Sequence, residues 1–590
     1  MLLVTTCLDA TWKESDQKEI MFLGDWCLSK WNKESLDGLS YKIVPHHWHD
    51  RQKLEKDERY LKQVHEDMIK KLTLSLNEVH HLDYPESYWR HLLDPWLVSY
   101  VAVIWDRFEC INGLRFQTSM ITHEIINKSS IEPPNTYEDH IDLILSDMWN
   151  HLIFLDLIKL KKQSISIIKI PNQSNTKKKL QFHTRPFSSI KWRVFRLFDH
   201  FLDLLARNNE YIIAGSYFTP LSHFRLQLKL KQVPCLHLRN FDITKYRFDS
   251  SEYHLREEFE KIFSTSSSSN DDFLSFLAFR IVKDMPKYLL ENYKNYKLCL
   301  REIKYKPKVI VTSGYIWGNE LFKIWSAEKV MNGSKLILAQ HGGSFPPKFS
   351  EMDFLETVGH DYITWGKPYK KNQTRLPSNK LSGVPIIGDL GRYCSLIGYE
   401  NPRYVYRASA MPITSQSFRH FEMVCDLHSL IDGDLKANFK IKPFPNVGWN
   451  FSKLFKDRLG NDIVLTEPNI WEVFKKSKVI ICTYPSTTFS ESIVSGRPTL
   501  LYYPDDLWET VSGYDDSYKN ILSTLSNAKI LHNNPQDLAT QLHSIWTDPE
   551  SWWSSPEIED VKQEFFEVVL LLDKDWCNIW AKYLMDSKNK

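Results

Sequence analysis

The sequence predicts an α/β protein with two doubly wound, Rossmann-like lobes and a helical N-terminal elaboration. Three observations carry that prediction. Strand–loop–helix alternation starts after residue 307 and starts again after residue 400, with turn residues between the two runs. Residues 55–130 read instead as long helices, as in YLKQVHEDMIKKLTLSLNEVHH, where apolar residues recur at three and four. At 590 residues the chain exceeds what one hydrophobic core usually serves.

Taken in order, VTTCLD and IMFLGDW read as short buried strands near the N-terminus. Pro171 to Lys179 (PNQSNTKKK) and Ser264 to Asp271 (STSSSSND) are polar, lack apolar periodicity and read as surface loops. KVIVTS (308–313) is a β-rich apolar run, GNELFKIWSAEKV follows with helical spacing, and KLILAQ (335–340) completes a βαβ unit. Turn residues in GDLGRY and GYENP, between Gly388 and Asn401, set the lobe boundary. This divides the chain into residues 1–395 and 396–590. In the second part NFKIKP, DIVLTE, KVIICTY and RPTLLYYP read as strands. Ser417–Leu430, Asn469–Lys476 and Thr488–Ser495 read as the helices between them. Pro556 to Leu584 reads as one long aromatic helix that crosses back over the first lobe.

Composition narrows the function. A formal net charge of +2 argues against nucleic acid as a partner, because neutralising phosphates needs a basic excess. Aromatic residues reach 13%, with 20 Trp, which suits clefts that stack on sugars or bases as well as cores. The 9 cysteines stand singly, with no C-x-x-C pair, so a reducing compartment fits and a disulfide framework does not. No signal peptide is legible. The longest strongly apolar stretch, Trp96 to Trp105, is half of the roughly 20 residues a bilayer span needs. The expected location is cytoplasmic, with at most peripheral contact at the inner face of a membrane.

The richest motif is TYPSTTFSE, Thr483 to Glu491. A buried strand ends at Thr483, and a helix begins near Thr488. Helix starts have free N–H groups and a positive dipole end that receive phosphate. Ser486, Thr487 and Thr488 add hydroxyls, and Glu491 can accept from sugar hydroxyls; Thr488 and Glu491 also match a capping box that needs no ligand. In LAQHGGSF, His341 follows a strand end, and Gly342 and Gly343 allow close approach of backbone or ligand. A histidine there suits a general base. Lys442, at the end of NFKIK, can counter phosphate charge, and Trp449 can stack on a ring; solvated lysine and core tryptophan are the alternatives. Asp432-Gly433-Asp434 imitates a metal-binding D-x-D but sits in a turn. In His46-His47-Trp48-His49-Asp50 adjacent histidines should diverge, with no second ligand group near, so no metal is expected. No Walker loop, G-x-S-x-G or G-x-G-x-x-G is present.

TYPSTTFSESIVSGRPTLLYYP resembles the second-lobe signature of bacterial capsule and teichoic-acid transferases, and QHGGSF resembles their first-lobe HG motif. Over most of its length the chain is similar to transferases encoded in O-antigen and surface-polysaccharide gene clusters. The landmarks are TTCLDATW, LGDWC, YWRHLLDPWLVSYVAVIWDR, QHGG, DYITWGK and TYPSTTFSE. That resemblance implies a GT-B fold, a nucleotide-activated sugar as substrate, no cofactor and no required metal. It assigns Ser486, Thr487 and Glu491 to the donor and His341 to catalysis. One departure is Phe444-Pro445 where capsule and teichoic enzymes carry His-Pro, which bears on CMP- or CDP-linked donors. The expected function is sugar transfer to a surface glycan or lipid-linked acceptor in O-antigen or capsule biosynthesis. The alternatives are a CDP-polyol phosphotransferase on the same fold, a sugar-nucleotide 2-epimerase, or a non-catalytic assembly protein.

Overall fold

The computed structural model describes the chain apart from residues 13–18, 29–37, 39, 116–118, 127–130, 163, 172–198, 200, 239–240, 243–247, 249–253, 267–269, 348–349, 409, 415, 505–506, 508–512 and 590. Within the described residues three five-stranded sheets form, and every strand pair is parallel. The α/β class expected from the alternating segments is therefore the class observed.

The first sheet holds β1 (Leu2–Val4), β2 (Glu19–Phe22), β3 (Ser40–Ile43), β4 (Met120–Ile126) and β5 (Ile165–Pro171), in the order β3-β2-β1-β4-β5. Its strand order reverses at β1, as in doubly wound folds. The region expected to be a helical elaboration thus carries a sheet of its own. The long helices are present too, as the crossover from β3 to β4: Arg51–His80, then Glu86–Asn112. Asp50 caps the former by accepting from the N–H groups of Gln52 and Lys53, and His81 ends it with φ 54°.

The second sheet holds β6 (Tyr211–Ile213), β7 (Val309–Thr312), β8 (Lys335–Ala339), β9 (Asp361–Thr364) and β10 (Gln373–Arg375), and they lie side by side in chain order. Its two faces are covered by different elements, because the β6-to-β7 and β7-to-β8 connections each place a helix on a different side. Alternating strand residues show how each face is covered. Ile310, Leu336 and Leu338 join the main core with Leu321, Phe322 and Trp325 of the helix Glu320–Met331. Val309, Val311, Ile337 and Ala339 pack on Leu226 of the helix Pro220–Lys229, and on Trp576, Trp580 and Leu584 of the C-terminal helix. Trp580 is fully buried and its Nε1–H donates to Pro377 O at 2.8 Å. The end of the chain therefore completes a sheet laid down before residue 376.

The third sheet holds β11 (Tyr393–Ile397), β12 (Phe439–Lys442), β13 (Ser477–Cys482), β14 (Thr499–Tyr502) and β15 (Leu531–His532), in the doubly wound order β12-β11-β13-β14-β15. The second and third sheets are two parallel α/β lobes; the third is doubly wound as expected, whereas the second is wound in one direction. The boundary expected at 395/396 falls inside β11.

Four local expectations need correction. VTTCLD is not a strand beyond Val4, where β1 ends. DIVLTE is not a strand: Asn461–Ile463 is a 3-10 turn, and only Val464 bridges to Ile441. The last helix is two helices, Pro556–Val568 and Trp576–Asn589. Between them the backbone is drawn off, Lys367 N–H to Val568 O and Leu571 N–H to Trp365 O, both 2.7 Å. Of the two expected loops, residues 172–179 lie outside the described residues. Ser264–Ser266 end the helix His254–Ser266, and residues 267–269 also lie outside the described set.

Candidate functional site

Beyond the carboxyl ends of β8 and β13 lies a cleft of about 590 Å³, where ligands sit in open α/β sheets. One wall is Gln340, His341, Gly342 and Gly343; the facing wall is Tyr484, Pro485, Ser486 and Thr487. The two motifs singled out in the sequence thus meet across the lobes.

They are also bonded to each other. Gly343 N–H donates to Thr487 Oγ1 at 2.7 Å, and Ser344 Oγ–H donates to Ser486 O at 2.6 Å. Ser344 Oγ lies 2.7 Å from Ser490 Oγ as well. Gln340 shapes the turn: its amide NH₂ donates to Gly343 O at 2.8 Å, while its Oε1 accepts from Trp365 N–H at 2.9 Å. The two glycines are needed for different reasons. Gly343 has φ +86° with open space around it, whereas a Cβ on Gly342 would stand 2.7 Å from Thr487 Oγ1. Gly343→Ala should therefore cost only about 1–2 kcal/mol of backbone strain. Gly342→Ala carries no such strain but should push the two loops apart. Chemical denaturation together with nucleotide titration checks this: ligand affinity is expected to fall much further for Gly342→Ala than for Gly343→Ala.

The helix Thr487–Val494 starts at Ser486, whose side chain makes no capping bond. Its first N–H groups, which have no acceptor within the helix, stand at the cleft. The capping-box alternative for Thr488 and Glu491 is not what forms. Thr488 lies inside the helix with Oγ1 2.9 Å from Tyr484 Oη, and the buried Glu491 pairs with Lys380 Nζ at 2.8 Å. Lys380 and Arg407 line the cleft, and so do Asp353 and Glu356, which pair with Lys370. Burial, reinforced by the charges of Arg407 and Lys380, lowers the pKa of His341 to about 4, so its imidazole is neutral at pH 7 with a lone pair to offer. Tyr217, with its ring 6.2 Å from that of His341, and Tyr399, Tyr406, Tyr484, Tyr514 and Tyr518 add aromatic walls.

Other expected residues are placed elsewhere. Thr483 is fully buried and its hydroxyl donates to Ile397 O at 2.8 Å, so it ties β13 to β11 behind the wall. Lys442 ends β12 outside the cleft lining, its pKa lowered by burial. Trp449 is a core residue packed edge-on against Phe418, 4.7 Å between ring centroids. Its loop is organised by the buried Glu400, whose carboxylate accepts from the N–H groups of Val447, Trp449, Asn450 and Phe451. Asp434 accepts from Trp546 Nε1–H at 2.9 Å, a structural bond.

The histidine cluster departs from expectation in its geometry. His46 and His47 do not diverge; their rings stack at 4.6 Å, and both Nε2 atoms reach Asp106 Oδ1, at 2.8 and 3.1 Å. Cys110 completes a group with metal-ligand character. However, Trp48 N–H donates to His46 Nδ1 at 3.1 Å, which leaves the proton on Nε2 and directs it to Asp106. Asp106 Oδ2 meanwhile accepts from Arg107. These bonds make Asp106 a hydrogen-bonded hub.

Sequence reading missed Lys380, Arg407, Tyr217 and Ser344. Ser344 stands inside QHGGSF and was open to notice. The other three lie on irregular segments with no motif around them.

The tyrosine-lined cleft between the sheet ends, with Lys380, Arg407, Asp353 and Glu356 in its lining, is the candidate ligand site. The family model described as LIC12162 family transferase matches residues 1–584, and the chain belongs to that family. No curated protein matches it. Among solved structures it is similar to MurG of Acinetobacter baumannii, at 10% identity over 64% of this chain and 99% of that one, with a TM-score of 0.31.

Proposed function

We propose that the cleft binds a nucleotide-activated sugar and transfers the sugar to a surface glycan or lipid-linked acceptor, in O-antigen or capsule biosynthesis. One observation carries the reading: a helix start, Lys380 and Arg407 converge on the space that His341 faces. The N–H groups and cations suit a donor's phosphates, and they stabilise the charge that grows on the leaving phosphate. His341 takes the proton of the acceptor hydroxyl. An anionic donor offsets the two cations that lower the histidine's pKa, so binding strengthens the base when it is needed. The donor and acceptor are the proposed partners, and no cofactor or metal is assigned to the step. Among the described residues no helix is long and apolar enough to cross a membrane. A cytoplasmic enzyme that meets its acceptor at the membrane surface is the proposed setting.

The test is incubation with UDP-, GDP-, TDP- and CMP-linked sugars and membrane-derived glycan acceptors. Acceptor-dependent release of nucleotide from one donor is expected, and release from none overturns the reading. The pH profile adds a sharper expectation. The acid limb of kcat/KM, which reports the free enzyme, should lie near pH 4, because the His341 imidazole stays neutral down to that point. Removing the charge of Arg407 should move that limb upward.

A further inference from the structure

A second concavity, of about 930 Å³, lies away from the cleft. It is bounded by the start of the helix Arg51–His80, the end of Glu86–Asn112 and the start of Asp272–Asp284. One side is aromatic. Trp105 lies 5.0 Å from Tyr60, stacks on Phe108 at 6.0 Å and 18°, and meets Phe273 edge-on at 4.7 Å, centroid to centroid. Tyr60 and Trp105 are half-buried, while Phe108 and Phe273 are buried behind them. Among these rings Lys53 Nζ is held between Asp57 Oδ2 at 2.9 Å and Glu109 Oε2 at 2.8 Å. The Trp105 Nε1–H is buried and has no hydrogen-bond partner among the described residues.

This combination selects a class of ligand. A sugar ring has an apolar C–H face, which packs on an aromatic ring, and hydroxyls that both donate and accept. A fixed carboxylate–ammonium–carboxylate array offers acceptors and a donor at once. A polyanion is disfavoured by Asp50, Asp57, Glu109, Asp271 and Asp272, which outnumber the lysines of the lining. A purely apolar ligand would leave those charges desolvated. The volume falls in the range of about 300–1,000 Å³ typical of ligand sites. One contact links the groove to the cleft: Arg51, between the rim residues Asp50 and Gln52, reaches Met411 Sδ at 3.0 Å, and Met411 lines the cleft.

We infer that this groove seats the glycan part of the acceptor, with sugar units on Trp105 and Tyr60 while the growing end enters the cleft. The inference rests on the glycosyl-transfer reading of the cleft. The test is retention on an array of bacterial surface polysaccharides for the wild type, Trp105→Ala, Tyr60→Leu and Arg407→Gln. The wild type is expected to bind at least one polysaccharide. Either groove substitution should weaken it by about tenfold, the loss of one aromatic stacking contact, and Arg407→Gln should leave it unchanged. If circular dichroism shows Trp105→Ala unfolded, Tyr60→Leu decides. No retention by the wild type, unchanged retention in the folded groove variants, or loss in Arg407→Gln overturns the inference. Retention with no melting response to any nucleotide would count against the donor reading alone.

Discussion

His341→Ala is expected to lower turnover by about 10²–10⁴-fold, the range for loss of a general base, while nucleotide affinity stays within a few-fold. The imidazole sits in the cleft with its pKa held low by burial and by two cations, so it rests neutral and its part is to accept a proton. Removing it takes away the base yet leaves the helix start, Lys380 and Arg407 for the phosphates. Single-turnover kinetics separate the two: the chemical step should collapse and donor binding should persist. Full turnover in a folded His341→Ala protein would remove His341 from the mechanism.

The second large effect is the reverse. Arg407→Gln should weaken nucleotide binding by about ten- to a hundredfold, since a hydrogen bond to a charged group contributes roughly 1.5–3 kcal/mol. Its loss also removes one of the two cations that lower the His341 pKa. The acid limb of kcat/KM should therefore rise as donor affinity falls, a paired change that a purely structural role would not produce. Isothermal titration with the preferred nucleotide, and a pH series on the same variant, measure both.

The motifs of the site were legible because each is a short run tied to a strand end. KLILAQ followed by HGG, and KVIICTY followed by PSTT, show where a parallel strand delivers its loop. Their mutual contact was not legible, since Gly343 and Thr487 are 144 residues apart and only the fold joins them. Arg407 and Lys380 left no periodic or motif signal either. In the first sheet β2 was visible in IMFLGDW, whereas VTTCLD, read as the opening strand, shares only Val4 with β1; β3 is largely exposed and β4 mixes polar with apolar residues, so neither stood out beside the long helices. DIVLTE has strand-forming residues, yet beyond β12 it meets that strand at a single bridge. The C-terminal helix looked continuous because Leu570, Leu571 and Leu572 extend its apolar run. Tertiary hydrogen bonds to Lys367 and Trp365 pull that segment out of the helix.

The central claim is that the space between QHGG and TYPSTT holds a nucleotide-linked donor. The most direct measurement is the melting temperature of the wild type with CMP, CDP, UDP, GDP and TDP in turn, because a ligand that binds the native state must raise it. At least one nucleotide should raise it, and Arg407→Gln should abolish most of that rise. A flat response to all five, at concentrations that would saturate a millimolar site, would contradict the claim.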